Sequence, residues 1–333
     1  MFPLFLFVIP SILGSEESDA DSLKRAVLGL PFNESTLISV IYEKTYPERQ
    51  KMVETFRNKY GEEIYKELWN KLYYAPRELT AGIKFNTTAF YDAKLLSFAL
   101  TGIHFDEDVL IEIMVTRTTQ EMREIKKAYR KLEKSDLCED IESDVMGDLE
   151  GVLLALCAAD KDEPNVIVDQ NIAKQDIETL YYYGPDSHFR TDEDVYNQIL
   201  FKRNDKQLRR MFAMFTDYQY YTKLLKIPIR KRTFEDLIEQ EYSFATERAL
   251  QRYIKTVKNR AGYFASMISD SLKDKYDGER RLIRIIFGRA GVDLPDIVGV
   301  FGGKKKLIRE IRKTSFLSGF TKQALIAILK TNC

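Results

Sequence analysis

Two runs of basic side chains are the groups in this sequence most able to bind a charged partner. Clustered cations near an anionic membrane surface contribute about 1 kcal/mol each. Nucleic acid is not expected as the partner, because no recognition motif accompanies either run. The candidate membrane-binding residues are Arg230, Lys231, Arg232, Lys304, Lys305 and Lys306.

The distribution of charge leaves a second interpretation open. The chain carries 51 basic and 51 acidic residues, but residues 1–200 hold a net charge of −15 and residues 201–333 a net charge of +15. The basic runs could therefore be solvated faces that meet the acidic part of the same molecule or of a second copy. A protein partner or self-association is the corresponding alternative to a membrane.

Catalytic patterns are not found in the sequence. It has no Ser-His-Asp set, no zinc-ligand spacing and no phosphate-binding loop. The segment from Gly299 to Lys304 is rich in glycine, but it lacks the spacing and the preceding strand of a phosphate loop. We therefore expect a binding protein and not an enzyme.

The first 15 residues include an apolar run that fits the hydrophobic region of a signal peptide and is too short to span a bilayer. The alternative is an N-terminal tail that docks on the protein or on a partner. Cleavage would place the protein outside the cell and make Asn33 and Asn86, which stand in Asn-x-Ser/Thr sequons, candidates for glycosylation. Without a signal, the expected location is the cytoplasmic face of a membrane.

Three cysteines, Cys138, Cys157 and Cys333, are too few for a disulfide framework. Cys138 and Cys157 could pair in an oxidising compartment, but the sequence favours two buried thiols. The terminal Cys333 is expected to be free.

A degenerate stretch recurs four times around a basic residue that follows an apolar run. Lys44, Arg117, Arg203 and Arg289 occupy this position, with spacings of 73, 86 and 86 residues. A repeat of this length is a structural unit copied in tandem. Within it, apolar residues recur at intervals of three and four, which indicates helices that bury one face.

Each unit reads as about five short helices. Predicted helices include Gln120 to Lys131, Leu137 to Val145 and Lys304 to Lys313, and strand signals are scarce. Gly29 and Gly102 follow a helix and are predicted to be left-handed caps. The fold class predicted from these patterns is all-α.

The order of motifs in the second copy resembles an annexin repeat. Its elements are Leu100-Thr101-Gly102, then Thr116-Arg117-Thr118, then Asp144-Val145-Met146-Gly147. The resemblance extends from about Ala20 to Leu329, and it implies four tandem repeats that form a curved disc. The predicted divisions are an N-terminal segment 1–15, repeats 16–88 and 89–160, a linker 161–172, repeat 173–259 with an insertion near 217–232, and repeat 260–333.

The resemblance also implies calcium-dependent binding to acidic phospholipid, through loop carbonyls and a carboxylate further along the chain. Calcium needs six to eight oxygen ligands, which a sharply turned loop can supply. The second copy keeps the carboxylate as Asp144, 42 residues after Gly102, although His104 replaces a glycine. The implied metal-binding residues are Leu100, Gly102, His104, Asp144 and, in the third copy, Glu241.

The other loops depart from the family pattern. In the first copy, Pro31 replaces a glycine and Lys71 replaces the downstream acid. In the fourth copy, Phe316 replaces the acid, and the third copy has Arg190 in a glycine position. Calcium binding is therefore expected to be weak or partial, in the second and third copies. The predicted function is peripheral binding to acidic phospholipid membranes. The alternative is a secreted or cytoskeletal interaction protein that keeps the scaffold without calcium-dependent membrane binding.

Overall fold

A computed structural model describes residues 15–29, 33–61, 68, 78–79, 87–101, 105–161, 167–182, 193–215, 233–242 and 244–333. Most of these residues are helical, with no strand among them, so the all-α prediction is confirmed. The helices are α1 Ser15–Leu28, α2 Glu34–Leu37 with a π-helical turn Ile38–Tyr42, α3 Tyr46–Tyr60, α4 Thr88–Thr101, α5 Glu107–Thr116, α6 Thr119–Glu133, α7 Leu137–Asp144, α8 Asp148–Ala158, α9 Gln170–Tyr182, α10 Glu193–Leu200, α11 Asp205–Phe215, α12 Phe234–Glu241, α13 Phe244–Ser271, α14 Gly278–Arg289, α15 Leu294–Phe301, α16 Lys304–Lys313 and α17 Gly319–Asn332.

Side-chain caps decide where many of these helices begin. Asn33 accepts a hydrogen bond from the backbone N–H of Thr36 at 2.9 Å, and Asp106 accepts one from Val109 at 3.2 Å. Such bonds satisfy donors that a first helical turn leaves without partners. Thr118 and Glu121 satisfy each other's backbone N–H at the start of α6. Polar residues before each apolar run therefore fix the starts of the helices.

Gly29 differs from the prediction. It is not among the residues with a positive φ, so it is not a left-handed cap. A Cβ built on Gly29 would lie 2.3 Å from the carbonyl oxygen of Arg25, so close packing at the end of α1 requires the glycine. Gly102, the second predicted cap, lies outside the described residues.

The chain divides into two compact units. One consists of Met1–Tyr91 and Phe264–Cys333, and the other of Asp92–Tyr263. The first unit thus contains the predicted first and fourth repeats, and the second unit contains the predicted second and third. The repeat boundaries themselves stay predictions.

Each unit has its own apolar core. In the first unit, Tyr42 packs edge-on against Phe287 and Phe320, with ring centroids 5.7 and 6.0 Å apart. In the second unit, Phe212 and Phe234 lie 5.1 Å apart. Aromatic pairs of this geometry add to the stabilisation from burial alone.

The long helix α13 crosses the predicted boundary between the third and fourth repeats. Its backbone is non-helical at Asn259, whose side chain accepts a hydrogen bond from Gly262 N–H at 2.9 Å. Asn259 therefore acts as an N-cap within a continuous segment. The helix α9 begins at Gln170, inside the predicted linker 161–172.

Candidate metal and membrane site

Two helix ends position the residues predicted to bind metal in the second copy. Leu100 lies in the last turn of α4, where backbone carbonyls have no partner within the helix. The backbone N–H of Asp106 donates to the carbonyl of Ala99 at 3.1 Å and turns the chain back towards α5. Gly102 and His104, between these points, lie outside the described residues.

Asp144 is the last residue of α7, and its side chain is exposed. It accepts a hydrogen bond from the Ser143 hydroxyl at 3.2 Å and forms no ion pair with the described part of the chain. Next to it, Val145 is buried and donates its N–H to the carbonyl of Ile141 at 3.0 Å. The buried valine fixes the helix end and leaves the Asp144 carboxylate facing solvent.

The donors in the second copy fit calcium. A carboxylate and a terminal helix carbonyl are both hard oxygen ligands, which calcium prefers. The carboxyl ends of α4 and α7 also carry negative partial charge, which attracts a cation. No group of three His, Cys, Asp or Glu side chains assembles a metal site within the described residues. A site built mainly from loop carbonyls does not need such a group.

The third copy can be followed only in part. Glu241 is the last residue of α12, the position that corresponds to Asp144 at the end of α7. Its side chain lies outside the described residues, as do the loop that contains Arg190 and the basic residues Arg230, Lys231 and Arg232.

In the fourth copy, the loop acid already has hydrogen-bond donors within its own loop. The Asp274 carboxylate accepts hydrogen bonds from the backbone N–H groups of Tyr276 at 2.9 Å and Asp277 at 3.3 Å. These bonds lower the pKa of Asp274 below its ordinary value. The helix α16 ends at Lys313, and Phe316 follows in the turn. Backbone donors thus occupy the loop carboxylate, and no acid stands at the helix end. Pro31 and Lys71 of the first copy lie outside the described residues.

The basic residues Lys304, Lys305 and Lys306 form the first turn of α16. Lys306 donates to the carbonyl of Phe301 at 3.0 Å and lies 5.0 Å from the centre of its ring. Positive charge at a helix N-terminus opposes the helix dipole, so these lysines do not stabilise the helix that carries them. Lys304, the first of them, lies about 14 Å along the helix axis from Lys313 at the end of α16.

The repeated basic residues have partners that sequence reasoning missed. Arg117 pairs with Asp92 in the second repeat, Arg203 with Asp176 in the third, and Lys44 with Asp19 in the first. In each case the acid lies on the first helix of the repeat and the base just after the second. The nearly constant spacing between acid and base, 25, 27 and 25 residues, was the signal that could have identified them.

The prediction of two thiols at Cys138 and Cys157 was wrong. The two residues form a disulfide, with Cα atoms 5.8 Å apart. Packing of α7 against α8 places them opposite each other although 19 residues separate them in sequence. Cys333 is free and exposed, as expected.

None of the described helices is both long enough and apolar enough to cross a bilayer.

The annexin family model matches residues 18–72 and 91–156. The chain is 33% identical over 313 residues to annexin A13 of Canis lupus familiaris. This match covers 94% of this chain and 95% of that protein. It is 32% identical over 283 residues to annexin A3 of Homo sapiens, covering 85% of this chain and 83% of that protein. The solved structure of annexin III matches with a TM-score of 0.81 and 30% identity over 98% of this chain and 97% of that one.

The helices, the two-copy match and these relatives together show that the chain belongs to the annexin family. Its fold is the four-repeat helical fold of that family. Annexins are generally non-enzymatic proteins that bind acidic phospholipid membranes in a calcium-dependent manner.

Proposed function

We propose that this protein binds acidic phospholipid surfaces through calcium held mainly by the second repeat. The observation that carries the proposal is the Asp144 carboxylate, which is exposed, has no cation partner in the described part of the chain, and ends α7. Membership of the annexin family supplies the class of ligand.

Leu100, Gly102, His104 and Asp144 would hold the ion. The carbonyl of Leu100 lies in the last turn of α4, where it has no donor within the helix, and the Asp144 carboxylate supplies the formal negative charge. Bound calcium would supply positive charge that attracts the phosphate groups of lipids. The carboxyl ends of α4 and α7 strengthen the attraction for the cation.

Calcium binding is proposed to be partial. The first and fourth repeats have Lys71 and Phe316 in place of the downstream acid. In the fourth repeat, the loop carboxylate of Asp274 is already bonded to its own backbone. Glu241 remains the second candidate, in the third repeat. At most two sites are therefore expected.

A second candidate function is that of an exported interaction protein, and the disulfide favours it. Disulfides persist in oxidising compartments and are rare in the cytosol. Cys138–Cys157 is consistent with the predicted signal segment 1–15, which would place the protein outside the cell. The exposed Asn33 stands in a sequon, and its glycosylation would follow from export.

Basic residues offer a contact surface that does not require calcium. Lys304, Lys305 and Lys306 oppose the dipole of their own helix, and only Lys306 has a described partner, the carbonyl of Phe301, so an external partner is proposed for this turn. An anionic membrane and an acidic protein surface are the two candidates. Arg230, Lys231 and Arg232 are proposed to belong to the same kind of contact.

The experiment that tests the calcium site is calorimetric titration of the full chain with calcium in the presence of phosphatidylserine vesicles. Asp144→Ala is expected to remove most of the calcium-dependent heat. Glu142→Ala is the matched control, because Glu142 is an exposed acid on the same helix. Unchanged heat in Asp144→Ala, or an equal loss in both variants, would contradict the assignment.

A further inference from the structure

Two large apolar side chains of the second unit stand in solvent, a few residues along the chain from the candidate calcium-binding acids. Met146 is 86% exposed and follows Asp144 by two residues. Phe244 is 88% exposed and follows Glu241 by three. Met146 lies in the loop that joins the fourth helix of its repeat to the fifth. Phe244 lies at the end of the corresponding loop, as the first residue of the fifth helix. The two repeats thus carry an exposed apolar group at the same structural element.

The backbone at Phe244 is unusual for a bulky residue. Its φ is 55°, in the left-handed region that side chains with a Cβ disfavour. The corresponding residue in the second repeat is Gly147, three residues after Asp144, with a φ of 77°. This loop therefore favours glycine, and the third repeat has phenylalanine instead. A strained conformation that also exposes an aromatic ring points to a role outside folding.

The fourth repeat provides an internal comparison. Its buried Leu317 corresponds to the buried Val145 of the second repeat. Counting from that residue, Ser318 stands at the position of Met146, and Gly319, whose φ is not positive, stands at the positions of Gly147 and Phe244. A small residue at each position is therefore compatible with the fold. The exposed side chains of Met146 and Phe244 are not needed to close the loop.

The arrangement of the two side chains favours a lipid partner over a protein. They are single residues at separate loops, whereas a stable protein interface buries roughly 800 Å² on each partner. In a fluid bilayer, isolated apolar side chains can each be buried separately, and the transfer of each from water is favourable. The exposed acids Asp144 and Asp148 flank Met146 in sequence, and an anionic bilayer repels their negative charge until a cation neutralises it.

We propose that Met146 and Phe244 insert into the acyl region of an anionic bilayer when calcium is bound, and so anchor the second unit. This inference rests on the proposed membrane function. It adds an apolar contribution, which salt does not screen, to the electrostatic bridge made by calcium.

Fluorescence can locate the two side chains directly. Trp69 is the only tryptophan, so Trp69→Phe provides a silent background. Tryptophan is then placed by Met146→Trp, by Phe244→Trp or, as a control, by Ile167→Trp, since Ile167 is 87% exposed in the same unit. With calcium and phosphatidylserine vesicles, the first two are expected to shift to shorter wavelength and to be quenched by brominated acyl chains. The third is expected to stay unchanged.

The outcomes separate this inference from the proposed function. If the protein sediments with vesicles in calcium but tryptophans 146 and 244 keep the emission of water-exposed indole, the inference is overturned and the function stands. If the protein does not sediment in calcium, both are overturned. A shift at the control position equal to that at 146 and 244 also contradicts specific anchoring.

Substitution by the residues of the fourth repeat gives a second test. Met146→Ser with Phe244→Gly is expected to weaken calcium-dependent vesicle binding by about a hundredfold or more, from the loss of two buried apolar side chains. Thermal stability should not fall, because glycine relieves the left-handed strain at position 244. Ile167→Ser is the control and should bind as the unchanged protein does. Undiminished binding in the double variant would overturn the proposal.

Discussion

Asp92 and Arg117 form a bidentate ion pair inside the second unit. The Arg117 Nε lies 2.6 Å from one Asp92 carboxylate oxygen, and a terminal guanidinium nitrogen lies 2.8 Å from the other. Both side chains are only 3% exposed. Burial disfavours the charged guanidinium, but the Asp92 carboxylate outweighs it and raises the pKa of Arg117 above its ordinary value.

The same link joins the first helix to the end of the second in other repeats, with variations. Arg203 and Asp176 repeat the bidentate geometry at 3.0 Å for both bonds. In the fourth repeat, Phe264 stands 25 residues before Arg289, at the position of the acid. There the guanidinium lies 5.3 Å from the centre of the Phe264 ring and pairs with Asp293 at 2.7 Å. In the fourth repeat, a cation–π contact with Phe264 thus stands where the other repeats have an acid on the first helix.

Removal of Asp92 is predicted to be strongly destabilising. Asp92→Ala would leave the Arg117 charge buried without its carboxylate, and such losses cost about 3–5 kcal/mol. Asp176→Ala is the matched comparison and should cost less, because the Arg203 side chain is 34% exposed and water can solvate it. Denaturant unfolding followed by circular dichroism measures both. Equal, small losses would show that burial of the pair does not matter.

The thiol content is predicted to reveal the Cys138–Cys157 disulfide. Alkylation of the denatured, unreduced protein should modify Cys333 alone, and alkylation after reduction should modify all three cysteines. Cys138→Ser should lower the free energy of unfolding by about 2–4 kcal/mol, since the unfolded chain loses a cross-link. Mass spectrometry of the alkylated protein counts the modified cysteines. Three modified cysteines without reduction would contradict the pairing.

Charge reversal at the start of α16 is predicted to separate the two kinds of membrane contact. Lys304→Glu with Lys305→Glu and Lys306→Glu should reduce vesicle binding in chelator and leave calcium-dependent binding largely intact. The residual binding in chelator should weaken with salt, because screening limits exposed charges to about 8 Å at physiological ionic strength. Helical circular dichroism should be unchanged, since acidic residues suit a first turn.

If chelator-resistant binding is absent from the unchanged protein, or survives charge reversal, these lysines do not contact lipid. An acidic protein surface would then be the better partner for them.

Much of the fold could be predicted from the sequence because its information is local. The predicted helix Lys304 to Lys313 has the bounds of α16, and Leu137 to Val145 exceeds α7 by one residue. Apolar spacing of three and four residues and polar caps act within one helix, so a single sequence displays them. The repeat of basic residues was visible for the same reason.

Features that depend on contacts between helices were not predictable in the same way. The Cys138–Cys157 bond depends on the packing of α7 against α8, and spacing alone does not reveal it. The acid Asp92 was visible, but only the fold brings it to Arg117. The residues around Phe244 do not indicate its left-handed backbone. That conformation becomes apparent only when the structure aligns Phe244 with Gly147.

The candidate site was predicted in outline. Asp144 was selected from its distance to Gly102, and the structure places it exposed at a helix end. The roles of Leu100, Gly102, His104 and Glu241 stay predictions. The absence of calcium from the fourth repeat also stays a prediction, and the hydrogen bonds that Asp274 accepts from its own loop support it.

Co-sedimentation of the full chain with phosphatidylserine vesicles, in calcium and in chelator, tests the central claim most directly. The account predicts that most of the protein pellets in calcium, that much less pellets in chelator, and that Asp144→Ala loses most of the difference while Glu142→Ala keeps it. Equal amounts in the pellet with and without calcium, or no pelleting in either, would contradict calcium-dependent membrane binding by this annexin.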